Sequence, residues 1–320
     1  MPEELDSAAM FAGFIILVIL GASAALWIMH LQHSNRTFVR EANVPVWPIG
    51  WINFGIFLCA MIASVVVTQL FAGELIYLMS PSDDALISDK IEVVETNSAP
   101  DLVNTTDTLE AEKPELTPWM AVLAVLLLQL PLLATFYALR RFYPSSFAGR
   151  LNSHVLTVWQ ALAQAIPQFI RYLPVIWIAS FAWSGFLTVL QRQGIIDEFP
   201  PQELIKLFTA GGDPTAMTLL VICAVVLAPI VEEIIFRGGI YRFLKSQTTL
   251  LPAQILSGVF FAVMHGNLMS LLPLVVVGIF LARVYERSGN ILVPMCFHAC
   301  FNGFSLLMLY IMSQSSIPFD

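Results

Sequence analysis

The sequence predicts an all-α, polytopic membrane protein with about eight transmembrane helices. Three observations carry that prediction. Of 320 residues, 58% are hydrophobic and only 12% charged, against about 25% charged in soluble domains. Mean hydropathy is +0.78. The apolar residues fall in runs mostly longer than the roughly 17 residues a helix needs to cross a bilayer, so run length reports spans rather than soluble domains.

The spans are expected at about 8–30, 50–79, 117–139, 172–190, 215–245, 250–267, 268–284 and 290–313. The N-terminus, with Glu3, Glu4 and Asp6 and no base, lacks the basic region of a signal peptide. The first run is therefore expected to be retained. Orientation follows from Lys and Arg. Arg36, Arg40, Arg140, Arg141, Arg150, Arg237, Arg242, Lys245, Arg283 and Arg287 fall on one side of an alternating path. Lys90, Lys113, Arg192 and Lys206 fall on the other, and Arg171 is ambiguous. This predicts N-out and C-out in a plasma (inner) membrane.

Residues 80–116 are acidic and rich in Ser, Thr and Asn, the composition of a solvated outer loop. Residues 1–145 are therefore taken as an N-terminal three-helix region carrying that loop, and 146–320 as a second domain with its motif core at 215–310. Between them, Gln160, Gln164 and Gln168 recur every four residues, with Arg171 beyond. That pattern predicts an interfacial helix over 155–171, ending before Pro174.

Charge excludes some functions. The net charge of −8 comes from acids crowded at the N-terminus and in one loop, and no basic surface suits nucleic acid. Cys59, Cys223, Cys296 and Cys300 lie in apolar runs with no CxxC spacing, as buried small hydrophobes would. In Cys296-Phe297-His298, residues two apart on a helix diverge by about 200°, so the pair does not suggest a metal site.

The chemistry lies in the last hundred residues. Val231-Glu232-Glu233-Ile234-Ile235-Phe236-Arg237 puts two acids and a base into an apolar run. Each costs roughly 2.5–3.5 kcal/mol to insert. Glu233 and Arg237 are four apart and share a helix face, acid first. Glu232 and Arg237 diverge by roughly 140°. Arg237 is therefore expected to neutralise Glu233, leaving Glu232 as a candidate general base. Phe261 and His265 share a face, as do His298 and Asn302. Counted at 1.5 Å per residue from the inner helix ends, Glu232, His265, His298 and Asn302 lie at roughly 20, 22, 12 and 18 Å. All four fall within a core of about 30 Å.

A proton-coupled transporter would also place acids and histidines in spans. It would usually show an inverted repeat and broken helices, and the sequence shows neither. A catalytically silent immunity or scaffold protein is the other alternative.

Glu232-Glu233-x-x-x-Arg237, Phe261-x-x-x-His265 and His298-x-x-x-Asn302 together resemble the CPBP-type intramembrane proteases, the CAAX prenyl endopeptidase and bacteriocin-processing (Abi-like) family. Phe236-Arg237-Gly238 and Ser288-Gly289-Asn290-Ile291 to Pro294 resemble its flanking pattern. The resemblance implies an intramembrane endopeptidase acting on a peptide or protein substrate, prenylated or carrying a leader. It implies that Glu232 and His265 activate water, that His298 and Asn302 hold the oxyanion, and that Glu233, Arg237 and Phe261 support them. Zinc on Glu232, His265 and His298 and a metal-free Glu–His pair account for these residues equally well.

Overall fold

A computed structural model describes residues 7–34, 44–79, 117–147, 149–197 and 212–314. The acidic segment 80–116 lies outside the described residues. Helices α1 (Ser7–Ser34), α2 (Trp51–Met79) and α3 (Pro118–Phe142) come first, then a single turn, α4 (Pro144–Phe147). Helix α5 (Val158–Arg192) follows. The next rod, Pro214–Gln247, is made of α6 (Pro214–Ile222), α7 (Ala228–Ile235) and α8 (Arg242–Gln247), joined by two π-helical stretches. Helices α9 (Leu250–Met264), α10 (Leu271–Ser288) and α11 (Leu292–Ser313) complete the chain. Among the described residues there are no strands.

Among the described residues, six helices are long and apolar enough to cross a membrane. The expected sixth and seventh spans differ from them. Helix α9 has 15 residues, about 22 Å of rise. The last two turns of α10 carry Arg283, Glu286 and Arg287. Large apolar side chains such as Leu17, Ile52 and Phe181 remain exposed along the long helices, as lipid-facing residues would.

The interfacial helix expected over 155–171 is not separate. It is the first half of α5, which continues through Pro167 and Pro174 for 35 residues. Its glutamine spacing misled because Gln160 has a local use. The Thr157 side chain accepts from Gln160 N, and the Gln160 side chain accepts from Thr157 N. This reciprocal box satisfies two orphan donors at the helix start.

The span expected over 215–245 is the rod Pro214–Gln247, and it is not regular α-helix throughout. Asp213 starts it, accepting from Thr215 N and Ala216 N at 2.9 Å each. Over Cys223–Leu227 it widens, and Ala228 N–H donates back to Cys223 O. Pro229 is the chemical reason, since it offers no N–H and its ring clashes with the preceding turn. The second wide stretch, Phe236–Tyr241, contains Gly238 and Gly239. Such π-turns are rare and frequent at functional sites. Here they bracket Glu232 and Glu233.

One core draws on both halves of the chain. It runs from Trp47, Phe57 and Phe136 to Tyr172, Tyr241, Phe261, Tyr285 and Phe297. Segment 44–50 is fastened to the end of the rod. Arg242 donates to Pro45 O at 2.7 Å, and Lys245 donates to Val44 O at 2.9 Å. Lys245 also pairs with buried Glu286 at 2.6 Å, and Glu286 accepts from Tyr241 Oη at 2.9 Å. Helices α9 and α10 pack where glycines meet. A Cβ on Gly278 would lie 2.6 Å from the Gly258 Cα, so the backbones touch.

Candidate active site

Glu233 and Arg237 form the expected pair. Arg237 Nη1 donates to Glu233 Oε1 at 2.8 Å, and both side chains are fully buried. A pair so buried repays its desolvation only when further bonds satisfy its atoms. Arg237 Nη2 donates to Gly278 O at 3.0 Å, which the close glycine crossing brings within reach. The guanidinium carbon lies 4.7 Å from the Phe261 ring centroid, a desolvated cation–π contact. Phe261 also packs against His265 and His298, with centroids 4.5 and 5.6 Å away. One aromatic ring therefore holds the pair and both histidines in register.

Each histidine is fixed through Nδ1. His298 Nδ1 lies 3.0 Å from Glu233 Oε1, and His265 Nδ1 lies 2.6 Å from Phe261 O. A carboxylate and a carbonyl can only accept, so both Nδ1 atoms are assigned as donors. In the neutral rings both Nε2 atoms then carry lone pairs. They converge on Glu232, with His265 Nε2 3.8 Å and His298 Nε2 3.9 Å from Glu232 Oε2. That oxygen is buried and has no hydrogen-bond partner. Three acceptors facing one another need a shared donor or a cation between them.

His265 does not lie inside its helix as expected. It is the residue that caps α9, just before Gly266 in the left-handed conformation. Its side chain is 32% exposed, against 16% for Glu232 and 4% for His298. The site is therefore most open on the His265 side.

Asn302 is one turn beyond His298 on α11, yet its amide is engaged elsewhere. Asn302 Nδ2 donates to Ala224 O at 2.8 Å. In a π register that carbonyl would wait for residue 229, which is Pro229 and has no N–H. Asn302 supplies the missing donor and ties α11 to the widened turn. Its Nδ2 retains a second proton.

Sequence reasoning passed over Gln129. This buried residue of α3 donates from Nε2 to Glu232 Oε1 at 3.3 Å. The available signal was a single amide in the run Leu126-Leu127-Leu128-Gln129-Leu130, since isolated polar groups in spans bond across helices.

The donors suit zinc by type, with two Nε2 atoms facing inward and both Nδ1 atoms held by second groups. They do not suit it by spacing. Ligands about 2.0–2.1 Å from a tetrahedral ion lie roughly 3.4 Å apart, and these lie 3.8 and 3.9 Å apart. Among the described residues, no three His, Cys, Asp or Glu side chains are grouped to hold a metal.

Residues 214–304 match the family described as Type II CAAX prenyl endopeptidase Rce1-like. The chain is also similar to the protein of Bacillus subtilis (strain 168) named "Putative membrane peptidase YdiL", with 36% identity over 146 residues. That match covers 42% of this chain and 57% of the relative, so the chain spans little more than half of the relative's length. No solved structure matches the chain.

Proposed function

We propose, from the support that both matches lend to the CPBP-type intramembrane protease family, that this chain is a membrane-embedded endopeptidase using a Glu/His-activated water. The observation that carries the reading is the unpartnered Glu232 Oε2 placed between two histidine Nε2 atoms. A water there would donate a hydrogen bond to Glu232 Oε2 and be oriented by His265. Its oxygen attacks the peptide carbonyl carbon, and the proton passes to Glu232. The carbonyl oxygen becomes an oxyanion, stabilised by the second Asn302 N–H and by His298 when that ring enters the cycle already carrying a solvent-derived proton on Nε2. Collapse breaks the C–N bond, and the proton taken up by Glu232 goes to the leaving amine. Glu233 and Arg237 hold the His298 ring in place.

The substrate class follows from the family resemblance: a C-terminal prenylated CAAX segment or a leader peptide. The protein is read as lying N-out and C-out in the plasma membrane, on the Lys and Arg bias. The test is cleavage of a farnesylated CAAX peptide or a leader peptide by purified protein in proteoliposomes, with Glu232→Gln as control. Cleavage by wild type alone supports the reading. Equal turnover by both proteins would favour a silent scaffold or a contaminant. The expectation of zinc on Glu232, His265 and His298, which the donor types suit and the spacing does not, is tested in the same assay. It predicts that a chelator abolishes turnover and that added zinc restores it. The metal-free reading predicts turnover unchanged by chelator.

A further inference from the structure

We infer that Gln129, in the N-terminal half of the chain and outside the residues that match the family, is a positioning residue for Glu232. The inference rests on the peptidase reading above. A glutamate's terminal torsion is broad and roughly two-fold, so a helix alone does not decide where its lone pairs point. A general base must nevertheless present one lone pair at a defined place. Gln129 Nε2 donates to Glu232 Oε1 at 3.3 Å. That contact divides the carboxylate. Oε1 is anchored to α3, and Oε2 is left without a hydrogen-bond partner, facing His265 and His298.

Stability does not explain the glutamine. Gln129 is buried, and its own Oε1 has no hydrogen-bond partner. An acceptor left unmade in the interior costs free energy, and an apolar side chain in this leucine run would avoid that cost. Its position comes from packing, because α3 lies against α6 and α7. It thereby brings residue 129 to a partner 103 positions away. The first half of the chain, which carries none of the three motifs, thus supplies the contact that aims the base.

The experiment uses the full chain in proteoliposomes, with a farnesylated CAAX peptide and a leader peptide as probes. It compares wild type, Glu232→Gln, Gln129→Met and Gln129→Glu for kcat, KM and thermal midpoint. Gln129→Met keeps the volume and removes the donor. It should leave the midpoint unchanged or higher, lower kcat about tenfold or more, and leave KM within about twofold, as expected of a buried residue acting through Glu232. Gln129→Glu keeps the shape but faces a carboxylate with another, and should lower kcat further. Wild-type kcat in Gln129→Met with Glu232→Gln inactive would overturn this inference alone. So would a fall in kcat matched by an equal loss of folded protein. If wild type cleaves neither probe faster than Glu232→Gln, the peptidase reading falls and this inference falls with it.

Discussion

Glu232 and Glu233 are adjacent and chemically identical, and their surroundings give them different tasks. Glu233 is fully buried and accepts from Arg237 at 2.8 Å and from His298 at 3.0 Å. Glu232 is partly exposed, keeps one oxygen without a hydrogen-bond partner, and faces two rings. The same amide substitution should therefore produce opposite phenotypes. Glu233→Gln leaves the buried Arg237 charge uncompensated, a loss of about 3–5 kcal/mol. Folded yield and thermal midpoint in detergent should fall together. Glu232→Gln still offers Gln129 an acceptor, so its midpoint should stay near wild type while peptide cleavage disappears. Reversed phenotypes would mean that the base is Glu233.

At the scale of the helix, the rod Pro214–Gln247 is shaped by residues that withhold hydrogen bonds. Pro229 leaves Ala224 O without an intrahelical donor, and Asn302 fills the gap from α11. Asn302→Ala should then cost about 1 kcal/mol and up to about 3. In a Pro229→Ala background, residue 229 regains an N–H for that carbonyl, and the cost of removing Asn302 should shrink to a few tenths. A thermal double-mutant cycle reads the difference. Equal costs in both backgrounds would show that the proline does not orphan the carbonyl. The glycine crossing of α9 and α10 makes a second prediction. A methyl on Gly278 would meet the Gly258 Cα at 2.6 Å, and overpacking of this kind costs about 1–3 kcal/mol. Because Gly278 O also accepts from Arg237, Gly278→Ala should lower both midpoint and cleavage. Normal values of both would mean that the helices separate without disturbing Arg237.

Across the whole molecule, the buried position of Arg237 changes the topology count. It is a structural cation paired with Glu233 and belongs to no loop. Nine basic residues then remain on the expected inner side against four outside. The bias still predicts residues 80–116 outside and 140–154 inside. Cysteine labelling of intact cells checks this at one position in each segment. Labelling of both from the same side would remove the N-out, C-out assignment. The shared core also bears on how the chain is divided. Trp47, Phe57 and Phe136 from the first region pack in one cluster with Tyr241, Phe243 and Phe297 from the second. The segment at 44–50 is bonded to Arg242 and Lys245.

Some of this was determined by sequence alone, because its physics is local. Charge in an apolar run is costly wherever the run packs, so Glu232, Glu233 and Arg237 stood out without a structure. A separation of four residues places Glu233 beside Arg237 on any helix, and Phe261 beside His265 likewise. The all-helical membrane class follows from run length, since a helix satisfies its own backbone in lipid. Contacts between distant residues depend on how the helices pack, which no local rule supplies. Gln129 reaches Glu232, Asn302 reaches Ala224 and Arg237 reaches Gly278 because particular helices pack together. The division of α5 was misjudged because a capping box and an interfacial stripe both place glutamines at helical spacing. The widened turn at Cys223–Leu227 was encoded locally by Pro229. Its consequence lies on α11, where the orphaned carbonyl finds its donor.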